Sequence, residues 1–281
     1  MSIVLITALF ALVLAFVLGV ALGFFQKIFA VVEDPLKGQV RAALPGANCG
    51  ACGFPGCDGY AGAVAAGNAA INKCTVGGKG TAGKLAALIG GDATITPIVA
   101  VIACQGSKEH APPKGDYRGI PTCRGAKLSA GGSKRCSWGC LGYGDCVAVC
   151  QFGALSIGSD GLPRIDYTKC TGCKACVAEC PQQLLRDIPT DRQGAMAICS
   201  NRNPIKPMVR KTCKVGCIKC EACVKNCPEK CIVMDKGIPV VDYGKCTSCG
   251  TCVAKCPING IKIIQRDIIP SKPSESTQAV S

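Results

Sequence analysis

The feature that most constrains this chain is a short run of cysteines that occurs four times. The clearest copy places three thiols three residues apart, a fourth thiol four residues further on and a proline directly after it, from Cys170 to Pro181. Two copies repeat this spacing, and another is stretched and has Gln151 in place of the proline. The runs are Cys136, Cys140, Cys146 and Cys150; Cys170, Cys173, Cys176 and Cys180; Cys217, Cys220, Cys223 and Cys227; and Cys246, Cys249, Cys252 and Cys256. Three thiols in one tight loop with a fourth from elsewhere predict cubane [4Fe–4S] sites.

The spacing between runs indicates how they pair. Their third cysteines are separated by 30, 47 and 29 residues, which groups the runs into two pairs. In two-cluster ferredoxins, the fourth cysteine of each run binds the cluster of the other run. The predicted ligand sets are Cys136, Cys140, Cys146 with Cys180; Cys170, Cys173, Cys176 with Cys150; Cys217, Cys220, Cys223 with Cys256; and Cys246, Cys249, Cys252 with Cys227. Structural zinc is the alternative, but zinc modules set two CxxC pairs well apart.

A fifth site is predicted upstream, in a glycine-rich loop. Cys49, Cys52, Cys57 and Cys74 form a C-x₂-C-x₄-C-x₁₆-C arrangement, whose glycines allow the backbone to approach a cluster closely. Zinc is a stronger alternative here than in the ferredoxin runs. The five cysteines outside these sets are interpreted as small buried apolar residues. Those five are Cys104, Cys123, Cys199, Cys213 and Cys231, and the alternative is that the first four gather into a sixth site.

The N-terminus predicts a membrane anchor. Residues 3 to 25 carry no charged side chain, and 23 residues of helix span about 34 Å, enough to cross a hydrocarbon core. A cleaved signal peptide would have a basic n-region and a shorter apolar core. A buried soluble helix is the less favoured alternative, because the run is apolar around its whole circumference. Lys27, Lys37 and Arg41 follow the span, so the positive-inside rule predicts a single-pass protein of the cell (inner) membrane with its soluble part in the cytoplasm.

These features predict an α+β protein with an N-terminal transmembrane helix, a small Fe–S domain and two ferredoxin-like modules, each with two [4Fe–4S] clusters. With 25 cysteines, 35 glycines and 5% aromatic residues, the chain depends on metal rather than on a large apolar core. The expected boundaries are 1–26 for the anchor, 27–91 for the 4Fe–4S domain, 92–130 for a linker with a buried strand, 131–190 for module 1, 191–207 for a linker, 208–266 for module 2 and 267–281 for a disordered tail.

Local patterns refine this picture. The glycine pattern from Gly78 to Lys84 partly matches phosphate-binding loops but follows no predicted strand, so it is interpreted as a flexible linker. The apolar run from Ile95 to Cys104 predicts a buried strand. Two similar segments, 154–166 and 231–242, predict hairpins that cover the cluster pairs.

The charge of the chain argues against nucleic acid as a partner. Its formal net charge is +14, but about five clusters at roughly −2 each would reduce this to about +4. No module combines basic and aromatic residues as nucleic-acid-binding domains do. A mildly basic surface instead suits an acidic electron carrier.

The anchor, the loop from Ala47 to Cys57 and the ferredoxin runs together resemble the B subunit of the Rnf complex, a membrane-bound ion-translocating ferredoxin:NAD⁺ oxidoreductase. The resemblance covers nearly the whole chain, and the combination of loop and anchor is its specific part. It implies a subunit that accepts electrons from soluble ferredoxin and passes them to the membrane subunits of the complex. The second ferredoxin module is an extension that shorter members lack.

The sequence therefore predicts a one-electron relay within a translocase-type oxidoreductase. No catalytic residue is expected, because His110 is the single histidine and no nucleophile–base arrangement accompanies it. Two alternatives remain open at this point. One is a membrane-tethered module that reduces the cluster of a regulator, and the other is a structural metal scaffold.

Overall fold

The computed structural model of the chain describes residues 2–29 and 34–269. It begins with the helix α1, Ser2–Ile28, whose side chains are uncharged until Lys27. The segment Ile3–Ile28 has a mean hydropathy of 3.0 in its most apolar window, and none of that window is buried. A helix of this length and composition can cross a membrane. The predicted apolar helix is confirmed, and it extends slightly beyond the expected end.

Three helices form the N-terminal unit: α2 (Pro35–Ala43), α3 (Gly56–Ala65) and α4 (Gly78–Ile89). They surround a core that includes Val40, Tyr60 and Leu85. The helix α4 corrects the expectation of a flexible linker at the glycine pattern. Leu85 is fully buried in this core, and its packing outweighs the poor helix propensity of the glycines.

The two ferredoxin modules are built around four very short helices. They are α6 (Asp145–Ala148), α7 (Ala175–Glu179), α9 (Ala222–Lys225) and α10 (Thr251–Ala254). The residue before each helix is left-handed, with φ of 86° at Gly144, 62° at Lys174, 60° at Glu221 and 80° at Gly250. This sharp turn brings the loop cysteines back toward the third cysteine of each run, which is the second residue of its helix.

Each module contains the predicted hairpin. In module 1, β2 (Leu155–Ile157) pairs antiparallel with β3 (Pro163–Ile165), and in module 2, β6 (Ile232–Asp235) pairs with β7 (Ile238–Val241). Leu155 packs in one apolar cluster with Cys146 and Cys176, and Ile232 packs with Cys223 and Cys252. The hairpins therefore cover the cysteines, as predicted.

Segments expected to be linkers contribute strands to the modules. The predicted strand is present as β1 (Ile98–Ile102) and pairs with β4 (Leu185–Pro189), while β5 (Ala195–Ala197) pairs with β8 (Ile261–Ile263). The helices α5 (Cys123–Ala130) and α8 (Lys206–Thr212) complete the described elements of these two segments.

The two sheets share a core. Val101 of β1 and Ile188 of β4 pack with Met196 of β5 and with Ile264, which opens a π-helical turn, Ile264–Ile268. Ile269 is buried in the same core, so the ordered chain continues past the expected start of the tail, and residues 270–281 lie outside the described part. The two modules are thus packed against each other.

Candidate metal centres

Of the 25 cysteines, 24 fall into six groups of four, and the remaining one, Cys231, lies beside one of these groups with its Sγ 3.4 Å from that of Cys227. Five groups line separate cavities. The sixth group surrounds Cys223. Burial raises the pKa of Cys223 to about 11, and the nearby thiols of Cys217, Cys220 and Cys256 contribute to this rise. Site 1 comprises Cys49, Cys52, Cys57 and Cys74; site 2, Cys150, Cys170, Cys173 and Cys176; site 3, Cys123, Cys140, Cys146 and Cys180; site 4, Cys104, Cys136, Cys199 and Cys213; site 5, Cys217, Cys220, Cys223 and Cys256; and site 6, Cys227, Cys246, Cys249 and Cys252.

Four of these groups contain the thiols that the sequence places together. In sites 2, 5 and 6 the fourth cysteine comes from the other run of its pair, as in two-cluster ferredoxins. In site 1, the loop from Cys49 to Cys57 meets Cys74 just before α4 begins.

Site 3 differs from its predicted set. Cys140, Cys146 and Cys180 meet Cys123 rather than Cys136. The side chain of Asp145 accepts hydrogen bonds from the backbone amides of Cys123 and Arg124, at 2.8 and 3.0 Å. Asp145 directly precedes Cys146, so it holds the start of α5 against site 3. The stretched spacing of this run was the available signal that its first cysteine does not belong to the loop.

Site 4 was missed as a set. Cys136 meets Cys104, Cys199 and Cys213, three of the cysteines interpreted as isolated buried residues. The open alternative of a sixth site was closer to the structure, but with Cys136 in place of Cys123. Its four thiols are separated by 32, 63 and 14 residues, so no local spacing identifies them.

Backbone amides donate to many of these thiols. The residue four positions after a ligand donates from its amide to Sγ in three cases: Ala154 to Cys150 at 3.4 Å, Leu184 to Cys180 at 3.4 Å and Gly260 to Cys256 at 3.2 Å. The amide of Gly77 likewise donates to Cys74 at 3.4 Å. Amide donors stabilise thiolates and tune the potential of iron–sulfur clusters, so this pattern fits a cluster site.

The arrangement of the thiols fits a cluster better than a single ion. Within residues 2–29 and 34–269, no three His, Cys, Asp or Glu side chains converge on a position for one metal ion. A zinc site requires four thiolates at about 2.3 Å from one point. The thiols here instead surround cavities, as is needed for the body of a cubane cluster.

Burial also disfavours the thiolate form of several of these cysteines when no metal is bound. It raises the pKa of Cys140 and Cys176 to about 12, and that of Cys136 and Cys213 to about 11. These four thiols are therefore protonated at neutral pH when no metal is bound. Cluster binding must displace these protons, which couples loading to the folding of the sites.

Two cysteines are exposed, and both belong to module 2. They are Cys220 of site 5 and Cys249 of site 6, whereas all the other cysteines are buried or half-buried. Sites 5 and 6 therefore approach the surface of the protein.

Comparison with known proteins agrees with this arrangement. An Fe–S cluster family matches residues 44–76, a 4Fe–4S binding domain matches residues 163–186, and a 4Fe–4S dicluster domain matches residues 216–260. These ranges contain site 1, the second run of module 1, and the cysteines of sites 5 and 6. They define the chain as a multi-cluster electron-transfer protein of the ferredoxin type with one apolar N-terminal helix.

Longer matches identify the family. The chain is 45% identical over 250 residues to the B subunit of the Na⁺-translocating ferredoxin:NAD⁺ oxidoreductase complex of Acetobacterium woodii, covering 89% of this chain and 74% of that protein. It is 40% identical over 265 residues to the B subunit of the ion-translocating oxidoreductase complex of Methanosarcina acetivorans, covering 94% and 100%. It is 41% identical over 256 residues to the B subunit of the proton-translocating ferredoxin:NAD⁺ oxidoreductase complex of Clostridium ljungdahlii, covering 90% and 89%.

The chain belongs to the family of B subunits of Rnf-type ion-translocating oxidoreductase complexes. It is an electron-transfer subunit, and its apolar helix and its relatives support association with a membrane.

Proposed function

We propose that this chain carries single electrons from a soluble ferredoxin, which docks on module 2, toward membrane subunits that contact site 1. The observation that carries this proposal is the exposure of Cys220 and Cys249 at the end of the protein farthest along the chain from α1. An electron carrier must bring its own cluster close to an acceptor, and exposed ligands mark where that approach is easiest.

Charge supports the same surface as the docking site. Residues 208–266 contain eleven Lys and Arg against four Asp and Glu, whereas residues 131–190 contain six against five. Several lysines of module 2 are exposed around sites 5 and 6: Lys225, Lys230, Lys245 and Lys255. An acidic carrier is attracted to such a surface, and this attraction weakens with salt.

The proposed cofactors are [4Fe–4S] clusters on sites 1, 2, 3, 5 and 6. A bound cluster supplies one-electron chemistry, and the protein contributes its thiolates, the amides that donate to them and the apolar hairpins that exclude water. Each transfer oxidises the donor by one electron and reduces the acceptor by one, so no bond or proton has to move.

The proposed location is the inner membrane with the soluble part in the cytoplasm. Lys27 lies in the last turn of α1, and Lys37 and Arg41 follow the helix. This distribution favours a cytoplasmic position for all the cysteine sites.

The proposal is tested with the anaerobically purified full chain in detergent. Reduced ferredoxin is mixed with it in stopped flow, and cluster bleaching is followed at several salt concentrations. We expect fast reduction that slows as salt rises. Elemental analysis of the same sample must find iron and sulfide, and one equivalent or more of zinc in place of iron would contradict the relay.

A further inference from the structure

We propose that site 4 binds a further [4Fe–4S] cluster, which connects the two ferredoxin modules. None of the family matches described above contains this set of cysteines, since Cys104, Cys136, Cys199 and Cys213 lie outside the matched ranges. The assignment of metal stands on the geometry of the site, and only its role in the relay rests on the proposed function.

Four separate parts of the fold supply the thiols of site 4. Cys104 follows β1, Cys199 follows β5, Cys213 ends α8, and Cys136 lies in the loop before α6. Three of the four are buried, and the four line one cavity together with Trp138. Four elements that are distant in sequence therefore bring their thiols to the same cavity.

The backbone approaches this cavity closely at Gly106. A Cβ atom added there would lie 3.2 Å from the Cβ of Ala111, and 3.4 and 3.6 Å from the Sγ atoms of Cys213 and Cys104. A larger residue would occupy the space between the thiols. The same requirement explains glycines in the loops of cluster sites.

Hydrogen-bond donors converge on the thiols of site 4. The amides of Gly106 and Cys140 donate to Cys104 Sγ at 3.4 and 3.5 Å. The amide of Cys217 donates to Cys199 Sγ at 3.3 Å, and the side-chain amide of Asn201 lies 3.6 Å from Cys136 Sγ. Asn201 is 2% exposed, and its Oδ1 accepts from the amide of Asn203, which turns its Nδ2 toward the thiol. These donors suit sulfur atoms that carry negative charge.

Two buried lysines near site 4 independently indicate that negative charge is present there. Lys134 and Lys219 are 5% and 6% exposed. The Nζ atom of Lys134 donates to the carbonyl of Gly106 at 2.8 Å, and that of Lys219 donates to the carbonyl of Asn203. Among the described residues, neither lysine forms an ion pair with a carboxylate.

A buried ammonium group is strongly unfavourable without a counter-charge. Lys219 lies near Cys199 and Cys217, and Lys134 lies near Cys140 and beside the Gly106 turn of site 4. A [4Fe–4S] cluster on four thiolates carries about −2 in its oxidised state. Clusters at site 4 and at its two neighbours would supply the anions that these lysines lack.

Site 4 lies between the cluster sites of module 1 and those of module 2. One of the two amides that donate to Cys104 Sγ belongs to Cys140 of site 3, and the amide that donates to Cys199 Sγ belongs to Cys217 of site 5. Hydrogen bonds thus lead into site 4 from a ligand of each module. With site 4 loaded, the relay passes from module 2 to module 1 without a gap between them.

The remaining sites continue the series. Within module 2, Cys223 of site 5 and Cys252 of site 6 share one apolar cluster. Cys146 of site 3 and Cys176 of site 2 share another apolar cluster. The hydroxyl of Thr75, next to Cys74 of site 1, donates to the carbonyl of Gly172, next to Cys173 of site 2, at 3.3 Å. The order is therefore site 6, 5, 4, 3, 2 and 1, ending nearest the membrane helix along the chain.

The test is the metal content of the anaerobically purified full chain. We expect about 24 iron and 24 sulfide per wild-type chain, and about 20 to 23 iron for Cys213→Ser, because a cubane that loses one ligand is lost or reduced to three irons. Cys231→Ala is the matched control: Cys231 is also buried, and although it lines the cavity of site 6 beside Cys227, it corresponds to Ala154 in the hairpin of module 1, which shows that this position does not need a thiol. The control should keep the wild-type iron content.

A wild-type chain with about 20 iron, or a Cys213→Ser chain with as much iron as the control, would overturn the proposal. These counts do not depend on ferredoxin, so they separate failure of site 4 from failure of the proposed function. If Cys213→Ser does not fold, Lys219→Met is compared with Lys225→Met, whose lysine is exposed. Redox titration of the Lys219 variant should show at least one cluster shifted to a more negative midpoint, by up to 59 mV for a tenfold change in its equilibrium constant. No shift relative to the control would count against an anion beside Lys219.

Discussion

The two ferredoxin modules have the same architecture but differ in where their cluster ligands come from. Both have two short helices that begin after a left-handed residue, and both have a hairpin that covers the thiols. In module 2, all eight ligands come from its own two cysteine runs. Module 1 uses Cys123 from the preceding helix and contributes Cys136 to site 4. A cysteine run therefore indicates that a cluster is near, but does not by itself determine which thiols bind it.

The modules also differ in charge and exposure. Residues 208–266 have an excess of seven basic residues (eleven against four), and residues 131–190 have an excess of one (six against five). Both exposed cysteines lie in module 2. The difference suits a division of roles in which module 2 meets a soluble partner and module 1 transfers electrons within the protein.

Truncation after Pro207 should produce the largest effect on this comparison. It removes Cys213 together with module 2, so sites 4, 5 and 6 are all incomplete. We expect about 12 to 15 iron per chain, since site 4 keeps three of its four ligands, and a reduction by ferredoxin that is at least tenfold slower and less sensitive to salt. Stopped-flow reduction and iron analysis of the membrane-inserted variant give the measurement.

The truncation also removes Ile264 from the core that it shares with Val101 and Ile188. Module 1 of the shortened chain should therefore be less stable than in the full protein. If the shortened chain is instead reduced as fast and as salt-sensitively as the full chain, module 1 is the docking site and the division of roles is wrong.

Single ligand substitutions should have smaller and local effects. We expect Cys123→Ser to lower the iron content by one to four atoms at site 3, although Cys123 belongs to no cysteine run. Cys52→Ser should do the same at site 1 and leave both modules intact, because site 1 closes on its own ligands. Iron analysis and low-temperature EPR separate the two variants. Loss of all cluster signals together would mean that the sites load as one cooperative unit.

The spacing of the cysteines in the sequence predicts some of the six sites but not others. The thiols of sites 2, 5 and 6 follow from spacing, because three of their ligands lie on one tight turn. Cys123 could not be assigned, since its place depends on Asp145 accepting two amides from the start of α5. Site 4 has ligands on four elements, and its assembly depends on the packing of two sheets. The helix α4 was missed because the burial of Leu85 outweighs its three glycines.

Charge reversal on module 2 should slow docking without affecting metal. We expect the double variant Lys225→Glu and Lys255→Glu to lower the rate of reduction by ferredoxin about tenfold at low salt, and less at high salt, because steering acts through screened charges. Lys79→Glu with Lys84→Glu is the matched control, since both lysines are exposed on α4 in the N-terminal unit. Equal slowing by the two pairs would indicate that only net charge matters, and that the surface of module 2 has no special role.

The smallest effect should come from the left-handed residues that precede the short helices. Glu221 occupies this conformation with φ of 60°, while Gly250 has φ of 80° at the matching position of the same module. A side chain in this region costs roughly 1 to 2 kcal/mol, which glycine avoids. We therefore expect Glu221→Gly to slow the thermal bleaching of the clusters and Gly250→Ala to accelerate it, with little change in iron content before heating. The loops should respond in opposite directions if this turn is what holds each third cysteine in place. Acceleration by both substitutions would show instead that the side chain of Glu221 stabilises its loop more than the strained backbone destabilises it.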